Sequence, residues 1–263
     1  MKSVLITGAY GGMGRAAVSL LKQQGFFVFA LDRQVDEAEE NVVPVMTDIT
    51  SEESIRQAVA TVSAQTDSLY AIVHFAGIYM MDSLVEMAGD SFDRIFAVNL
   101  RGAYLVNRMF LPLLQAGSRV LITTSELAPL DPLPFTGIYA VTKAALDKYA
   151  YSLAMELQLL DINVSVLRAG AVQTDMLGVS TTALDRFCEE TKLYSCNAAR
   201  FKRIVNRVEA RCVPPAKIAR KCLHILRQRK PHFAYSMNRN PLLLLLNVLP
   251  KRLQLCLIKR ILK

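Results

Sequence analysis

The feature that most constrains this chain is a glycine-rich turn that follows a short apolar run near the N terminus. Residues 3–7 read SVLIT, the next seven read GAYGGMG, and a helical period of apolar residues then covers 15–24. Glycines let a backbone turn tightly and approach a bound group, and N–H groups at a helix start attract negative charge. The turn therefore predicts a pyrophosphate site, whose candidate residues are Thr7, Gly8, Gly12, Met13 and Gly14.

Apolar runs alternate with helical patterns along the next part of the chain, and no Pro/Gly/Ser-rich linker divides it. Strands that alternate with helices form right-handed βαβ units, so the sequence predicts an α/β fold with a doubly wound parallel sheet, a Rossmann fold. We expect a single catalytic domain at 1–239 and a basic amphipathic tail at 240–263. The predicted strands are 3–7, 26–31, 42–46, 70–75, 119–123 and 163–167, and the predicted helices are 15–24, 51–62, 90–114 and 142–159.

Ligands of such sheets bind beyond the carboxyl ends of the strands. Asp32 follows the second strand, where an acid accepts hydrogen bonds from a ribose 2′-OH and repels a 2′-phosphate, which favours NAD over NADP. Arg33 opposes this preference, because a guanidinium can hold a 2′-phosphate. His74 lies inside an apolar strand, which favours a buried structural histidine over a catalytic one. Further cofactor candidates at strand ends are Asp48, Ile49, Ala76 and Gly77.

Ser125, Tyr139 and Lys143 follow the predicted fifth strand and have the side chains of a proton-transfer site. Ser125 comes directly after the strand, and Tyr139 and Lys143 are spaced to share one face of a helix. A free tyrosine has a pKa near ~10, and a neighbouring ammonium and a positive nicotinamide would lower it. Tyr139 is then a candidate to exchange a proton with a substrate hydroxyl or carbonyl that Ser125 also binds. The alternative is that the pair is merely one helical turn of ordinary residues.

The ordered motifs resemble those of the short-chain dehydrogenase/reductase family, in its non-extended branch, over about residues 1–235. The resemblance implies a Ser-Tyr-Lys mechanism in which Asn99 holds a water that links Lys143 to solvent, and a homodimer or homotetramer. Two positions depart from the family pattern: His74-Phe75 stands where Asn-Asn is usual, and Ala169 where proline is usual. The motifs are Thr7-Gly8-x-x-x-Gly12-x-Gly14, Asp48, Ala76-Gly77, Asn99, Ser125, Tyr139-x-x-x-Lys143 and Gly170-x-x-x-Thr174, with Val172 and Thr174 on the nicotinamide side.

By the same resemblance, the chain is similar to hydroxysteroid and retinol dehydrogenases. We expect an NAD(P)-dependent oxidoreductase that interconverts an alcohol with a ketone or aldehyde on a lipophilic substrate. Two other functions stay open: an NAD-dependent epimerase or dehydratase, and a non-enzymatic dinucleotide-sensing regulator. The segment 175–213 is expected to cover the substrate, and its apolar residues either line a pocket or pack on the core. These residues, with two from another loop, are Met176, Leu177, Leu184, Phe187, Leu193, Tyr194, Met80 and Met81.

Charge is divided unevenly along the chain. Residues 1–199 contain 14 basic and 22 acidic residues, a net −8, whereas residues 200–263 contain 17 basic residues and one acid, a net +16. Such a block favours an anionic partner or forms a solvated basic face. The tail reads NPLLLLLNVLPKRLQLCLIKRILK, which fits either an amphipathic helix on anionic lipid or a helix buried at a subunit interface or over the substrate mouth.

The remaining sequence features concern the compartment and other ligands. The five cysteines lack metal-ligand spacing, so we expect free thiols in a reducing compartment and no metal site. The N terminus lacks the apolar core of a signal peptide, and the apolar stretches are too short to span a membrane, which predicts a cytoplasmic protein with membrane association left open. We expect no nucleic-acid partner, because no recognition pattern accompanies the basic residues.

Overall fold

A fully parallel, seven-stranded sheet lies at the centre of the molecule in the computed structural model. The structure describes the backbone of residues 1–208 and 212–263, and the side chains within these ranges except at 175–181, 207 and 208. The strand order is β3-β2-β1-β4-β5-β6-β7, which reverses between β1 and β4, as in doubly wound sheets. The strands are β1 Lys2–Thr7, β2 Phe26–Asp32, β3 Val42–Met46, β4 Leu69–His74, β5 Leu114–Ser125, β6 Asn163–Ala169 and β7 Ala234–Met237.

Helices cover both faces of the sheet, so successive residues of one strand enter two different cores. Leu5 of β1 packs with one cluster, and its neighbours Val4 and Ile6 pack with the other. This two-sided burial explains the unbroken apolar runs of the strands. The helices are α1 Gly12–Gln23, α2 Glu52–Ser63, α3 Gly89–Phe96, α4 Gly102–Phe110, α5 Gly137–Leu157, α6 Asp175–Glu190, α7 Ser195–Val208, α8 Pro215–Arg227, α9 Pro241–Val248 and α10 Lys251–Leu262.

The predicted fold class and all six predicted strands are confirmed, whereas the prediction differs from the structure at two helices and one strand. The helix expected over 142–159 begins earlier, at Gly137, and so includes Tyr139. The helix expected over 90–114 is interrupted by a π turn at Ala97–Arg101, and it ends at Phe110, where Pro112 cannot continue it. The sequence pattern also missed β7, because its four residues, AYSM, show no apolar run.

The C-terminal tail lies against the body of the protein through α10 and α7. The side-chain amide of Asn197 on α7 donates to the Leu262 carbonyl at 2.7 Å, and Gln254 donates to Asp131 at 3.0 Å. Asp131 also pairs with Lys251. In the described part of the chain, no helix combines the length and the apolar content that crossing a membrane requires.

Candidate active site

The glycine-rich turn runs from the end of β1 into α1 and leaves no room for side chains. Gly8 has φ of 67°, and a Cβ there would lie 2.5 Å from the Ala76 nitrogen. A Cβ on Gly14 would lie 2.0 Å from the Gly8 carbonyl oxygen. No side chain among those described caps the start of α1. The turn therefore offers a close backbone approach and the open start of a helix, which fits the pyrophosphate of a dinucleotide.

Asp32 at the end of β2 lies beside this turn. Its carboxylate accepts hydrogen bonds from the Tyr10 nitrogen at 3.0 Å and the Arg33 nitrogen at 2.8 Å, and the Arg33 side chain is exposed. Asp48, after β3, accepts hydrogen bonds from the Thr50 nitrogen and hydroxyl. Burial acts to raise the pKa of Asp48, but these bonds and the Arg33 charge outweigh it and lower the pKa. Two carboxylates thus follow neighbouring strands on the adenosine side expected from the sequence.

Ile49 is directed away from the strand ends and into the core. A Cβ on Gly102 of α4 would lie only 2.7 Å from the Ile49 Cδ1 atom, so the isoleucine side chain fills the space above that glycine. Among the cofactor candidates, Ile49 therefore has a clear packing role.

His74 belongs to a buried chain of hydrogen bonds behind the site. The Thr7 hydroxyl lies 3.3 Å from Nδ1 of His74, and Nε2 lies 2.8 Å from Oδ1 of Asn107. The Asn107 amide donates to the Tyr149 hydroxyl, so its oxygen accepts from His74 and the neutral Nε2–H form fits the network. Burial lowers the pKa of His74 to about 4, against a raising contribution from Asn107. The histidine joins β1, β4 and α4.

The four candidate catalytic residues meet at the carboxyl ends of β4 and β5. The Ser125 side chain acts to lower the pKa of the Tyr139 hydroxyl, and the Lys143 Nζ atom lies 5.8 Å from the centre of the Tyr139 ring. Lys143 is buried and donates to the Thr123 carbonyl at 3.3 Å. A Cβ on Gly77 would lie 3.3 Å from both Lys143 Nζ and Asn99 Oδ1, so the glycine brings the backbone after β4 close to both side chains.

Asn99 is carried by the π turn of the helix that runs from α3 to α4. Its amide donates to the Ile78 carbonyl at 3.0 Å and the Thr142 hydroxyl at 3.1 Å, and its oxygen accepts from the Ile78 nitrogen. Asn99 therefore joins the loop after β4 to α5, next to Lys143. Its expected role in a water relay stays a prediction.

The pKa of Tyr139 shifts in the direction opposite to the one expected from the sequence. Burial raises the pKa of Tyr139 to about 12, and the Ser125 side chain opposes this only in part. Burial also lowers the pKa of Lys143 to about 8. In the protein without cofactor, burial and not a neighbouring charge dominates both pKa values, and the expected lowering of the Tyr139 pKa by Lys143 together with a nicotinamide stays a prediction.

The loop after β6 reaches the glycine-rich turn. A Cβ on Gly12 would lie 2.6 Å from the Thr174 Cγ2 atom, so these two candidates touch. A Cβ on Gly170 would lie 2.0 Å from the Asn238 carbonyl oxygen, so this glycine is required by the segment that follows β7. Val172 is buried and forms a bridge with Val213.

An apolar cluster adjoins Tyr139 on the side away from the glycine-rich turn. The Tyr79 ring lies 4.9 Å from the Tyr139 ring, centre to centre, and packs against this cluster. Phe135 contacts the rings of Phe187, Tyr194 and Phe201 in the same region. We name this set the substrate-side cluster; its members are Met81, Ala183, Leu184, Phe201 and Leu262, with Tyr79, Phe135, Cys188, Val205 and Ile258 packed against them.

Sequence reasoning placed part of this cluster correctly and missed the rest. Leu184, Phe187 and Met81 are buried, as a covering segment requires, whereas Leu193 is exposed. The side chains of Met176 and Leu177 lie outside the described residues. The sequence did not predict that Tyr79, Phe135 and Leu262 belong to this cluster. Their aromatic or apolar character was the only sequence signal for it.

Glu126 was also missed, although it directly follows Ser125. Its carboxylate accepts from the Asn240 nitrogen at 2.6 Å, and burial raises its pKa. The residue therefore connects the strand that carries Ser125 with the start of the tail. Among the described residues, no group of three or more His, Cys, Asp or Glu side chains could hold a metal ion.

Comparison with known proteins identifies the family. The family model for the short chain dehydrogenase matches residues 2–185. The chain belongs to this family. It is 32% identical over 241 residues to an uncharacterised oxidoreductase of Escherichia coli K12, covering 89% of this chain and 84% of that protein. Membership supports an oxidoreductase that acts on CH–OH groups with a dinucleotide.

Other relatives carry more specific names. Estradiol 17-beta-dehydrogenase 2 of mouse is 32% identical over 189 residues, which cover 67% of this chain and 50% of that protein. A 3-ketodihydrosphingosine reductase of Bacteroides thetaiotaomicron is 23% identical over 231 residues, covering 88% of this chain and 85% of that protein. A short chain dehydrogenase structure from Francisella tularensis superposes with a TM-score of 0.76 at 21% identity, covering 90% and 97% of the two chains, and thus shares the fold.

Proposed function

We propose that this protein is an NAD(P)-dependent dehydrogenase or reductase that interconverts an alcohol and a ketone or aldehyde on a lipophilic substrate. The observation that carries the proposal is the position of Tyr139 beside Lys143, whose Nζ atom lies 5.8 Å from the tyrosine ring, at the sheet edge where Ser125 ends β5 and the glycine-rich turn follows β1. The bound nicotinamide supplies the hydride acceptor or donor for this reaction.

The residues of the chain supply orientation and a proton. The Ser125 hydroxyl binds the substrate oxygen, and Tyr139 removes the hydroxyl proton during oxidation or returns it during reduction. A phenol whose pKa is about 12 holds its proton at neutral pH, so the positive charges of Lys143 and of an oxidised nicotinamide are needed to favour the phenolate. Asn99, by its position between Ile78 and Thr142, keeps the loop after β4 against Lys143.

NAD is proposed as the preferred cofactor. Asp32 stands beside the glycine-rich turn with both carboxylate oxygens hydrogen-bonded to backbone nitrogens, so its negative charge is fixed where a 2′-phosphate would approach. Arg33 is exposed and free to turn outward, which makes it the weaker determinant.

A lipophilic substrate is proposed from the substrate-side cluster. Tyr79 connects this cluster directly to Tyr139, and its buried members carry no charge. The names of two relatives, an estradiol dehydrogenase and a ketodihydrosphingosine reductase, agree with a steroid-like or long-chain substrate. We place the protein in the cytoplasm, as a homodimer or homotetramer.

The test is a substrate panel with both cofactors. Steroids, retinol, sugars and acyl thioesters are incubated with purified protein, and NADH or NADPH is followed by absorbance. We expect turnover of lipophilic members with NAD, and a loss of kcat of roughly 10³-fold in Tyr139→Phe. Turnover of polar members only would refute the lipophilic substrate.

The same panel separates the two other functions. Product formation without net change in free nicotinamide indicates an epimerase or dehydratase that retains its NAD. Dinucleotide binding without any turnover, together with an unchanged Tyr139→Phe variant, indicates a sensing regulator. Both residues of the Tyr139–Lys143 pair are present and adjacent, with Lys143 buried and Tyr139 partly buried, which favours the enzyme.

A further inference from the structure

Helices α9 and α10 present a row of apolar side chains to solvent. α9 reads PLLLLLNV without a charged residue, and Leu242, Leu245 and Val248 are 61%, 65% and 81% exposed. α10 also exposes large apolar side chains. We define the tail surface as these residues together with Leu253, Leu257 and Ile261 of α10. Large side chains exposed in such number mark an interaction surface.

Cations accompany the apolar row, and acids are absent from the sequence after Glu209. With about 100° of rotation per residue, α10 divides into three faces, each roughly a third of a turn from the next. They are the inward residues Gln254, Ile258 and Leu262, the cations Arg252, Lys259 and Lys263, and the apolar stripe of Leu253, Leu257 and Ile261. An apolar stripe beside clustered cations is typical of helices that lie in the interface of an anionic bilayer.

The orientation of the tail surface is set by the body of the protein. Gln254 is buried and bonded to Asp131 and to the Leu249 carbonyl, and the Asn247 side chain accepts from the Asp131 nitrogen at 2.6 Å. Asn240 bonds to Glu126 at the start of the tail. These bonds hold the tail against the body of the protein. The exposed leucines therefore have a fixed orientation toward solvent.

We propose that the tail surface docks on an anionic lipid bilayer. The apolar side chains enter the boundary between headgroups and acyl chains, and Arg252, Lys259, Arg260 and Lys263 meet lipid phosphates. A second copy of the chain fits the surface less well. A two-fold contact would bring the cations of both tails together with no acid in either.

Docking would also bring lipid to the substrate side, a consequence that rests on the proposed function. Leu262 and Ile258, on the inward side of α10, belong to the substrate-side cluster that reaches Tyr139 through Tyr79. One helix therefore forms both the outer surface and part of the wall beside the site. We infer that the substrate is an alcohol or ketone dissolved in the bilayer.

The experiment is co-sedimentation of the full chain with vesicles of phosphatidylcholine alone or mixed with phosphatidylglycerol. We expect binding to the mixed vesicles, weakened by salt, and little binding to phosphatidylcholine. Leu245→Gln with Val248→Gln is expected to lower the affinity at least roughly tenfold, through the loss of buried CH₂ groups. Arg260→Gln with Lys263→Gln is expected to lower it roughly tenfold as well.

The matched control is Leu159→Gln with Leu160→Gln, because these leucines are similarly exposed in the 3₁₀ turn that follows α5. The control should bind like the wild type, and all variants should keep the wild-type melting temperature, since each replaced side chain is exposed. Failure of the wild type to bind mixed vesicles, or equal binding by the tail variants, overturns the proposal. So does a fall in oligomeric mass in the tail variants without a change in vesicle binding, which would assign the surface to a second copy.

Turnover measured in the same preparations separates this proposal from the proposed function. Vesicle binding without oxidation of any alcohol in the panel leaves the docking surface intact and refutes the dehydrogenase. Oxidation of a lipophilic alcohol without vesicle binding supports the dehydrogenase and refutes the docking surface.

Discussion

Tyr139 and Lys143 are each shifted toward the neutral form at the end of β5, with pKa values of about 12 and about 8. A neutral tyrosine costs no stability at pH 7, whereas the buried Lys143 ammonium does. A negative substrate oxygen and a positive nicotinamide would favour the charged forms of both side chains when bound. Lys143 is therefore expected to favour catalysis at the expense of stability.

Lys143→Met should stabilise the fold at pH 7. The pKa of the lysine falls from 10.5 to about 8 on folding, which corresponds to about 3 kcal/mol, less about 1 kcal/mol for its bond to Thr123. Below pH 8 both states are charged and the cost is full. Between pH 8 and 10.5 only the unfolded state retains the proton, so wild-type stability rises and the gain of the variant disappears.

Urea unfolding of Lys143→Met at several pH values measures this gain. The control is Lys148→Met, because Lys148 lies exposed on the same helix. A variant that is less stable than the wild type at pH 7 would show that the lysine is not penalised by burial.

Asp32→Asn should change the cofactor preference. The substitution removes the negative charge beside the glycine-rich turn but keeps the size of the side chain, so repulsion of a 2′-phosphate is lost. We expect the ratio of kcat/KM for NADP to that for NAD to rise roughly tenfold or more, as steady-state kinetics with both cofactors would show. An unchanged ratio would show that Arg33 or another residue, and not Asp32, determines the cofactor preference.

At the scale of elements, α5 is the part whose placement decides the site. Tyr139, Lys143 and Asp147 follow one another at four-residue spacing on this helix. The Asp147 carboxylate accepts two hydrogen bonds from Arg168 of β6, at 2.9 and 2.7 Å, and one from the Thr124 hydroxyl of β5 at 3.2 Å. The helix is thereby fixed to the two strands at whose ends the chemistry is expected.

Asp147→Ala should destabilise the protein by about 3 kcal/mol, because it leaves the mostly buried Arg168 without its partner. Urea unfolding measures the change. Replacing both partners, by Asp147→Leu with Arg168→Met, should recover much of the loss. Glu53→Ala, which breaks the exposed pair with Arg56, should cost less than about 1 kcal/mol. If Asp147→Ala and Glu53→Ala lowered the free energy of unfolding by similar amounts, Asp147 would not have the proposed role of fixing α5 to β5 and β6.

At the scale of the whole molecule, α3, α4 and α5 form a further exposed apolar face. Phe96, Leu100, Tyr104 and Tyr149 line a shallow groove there, and the Tyr104 ring lies 6.4 Å from that of Tyr149. This face is separate from the tail surface. We assign it to the homodimer or homotetramer contact proposed above.

Tyr104→Glu should therefore reduce the oligomer. Sedimentation velocity of the wild type should give two or four times the 29.2 kDa of one chain, and the variant should move toward a single chain because its new charge would be desolvated. Leu159→Glu, outside the groove, serves as the control. A wild-type monomer, or a variant of unchanged mass, would contradict this assignment.

The sequence alone determined the sheet, the glycine-rich turn and the order of the candidate residues, because each depends on local periodicity or spacing. It also located the charge of the last quarter of the chain. It could not supply the environment of those residues. The raised pKa of Tyr139, the bonds from Asn99 to Ile78 and Thr142 and the bond from Asn240 to Glu126 all arise between segments distant in sequence. The tail shows the same division: its amphipathic pattern was readable, but only packing decided that Leu262 turns inward while Leu253, Leu257 and Ile261 face solvent.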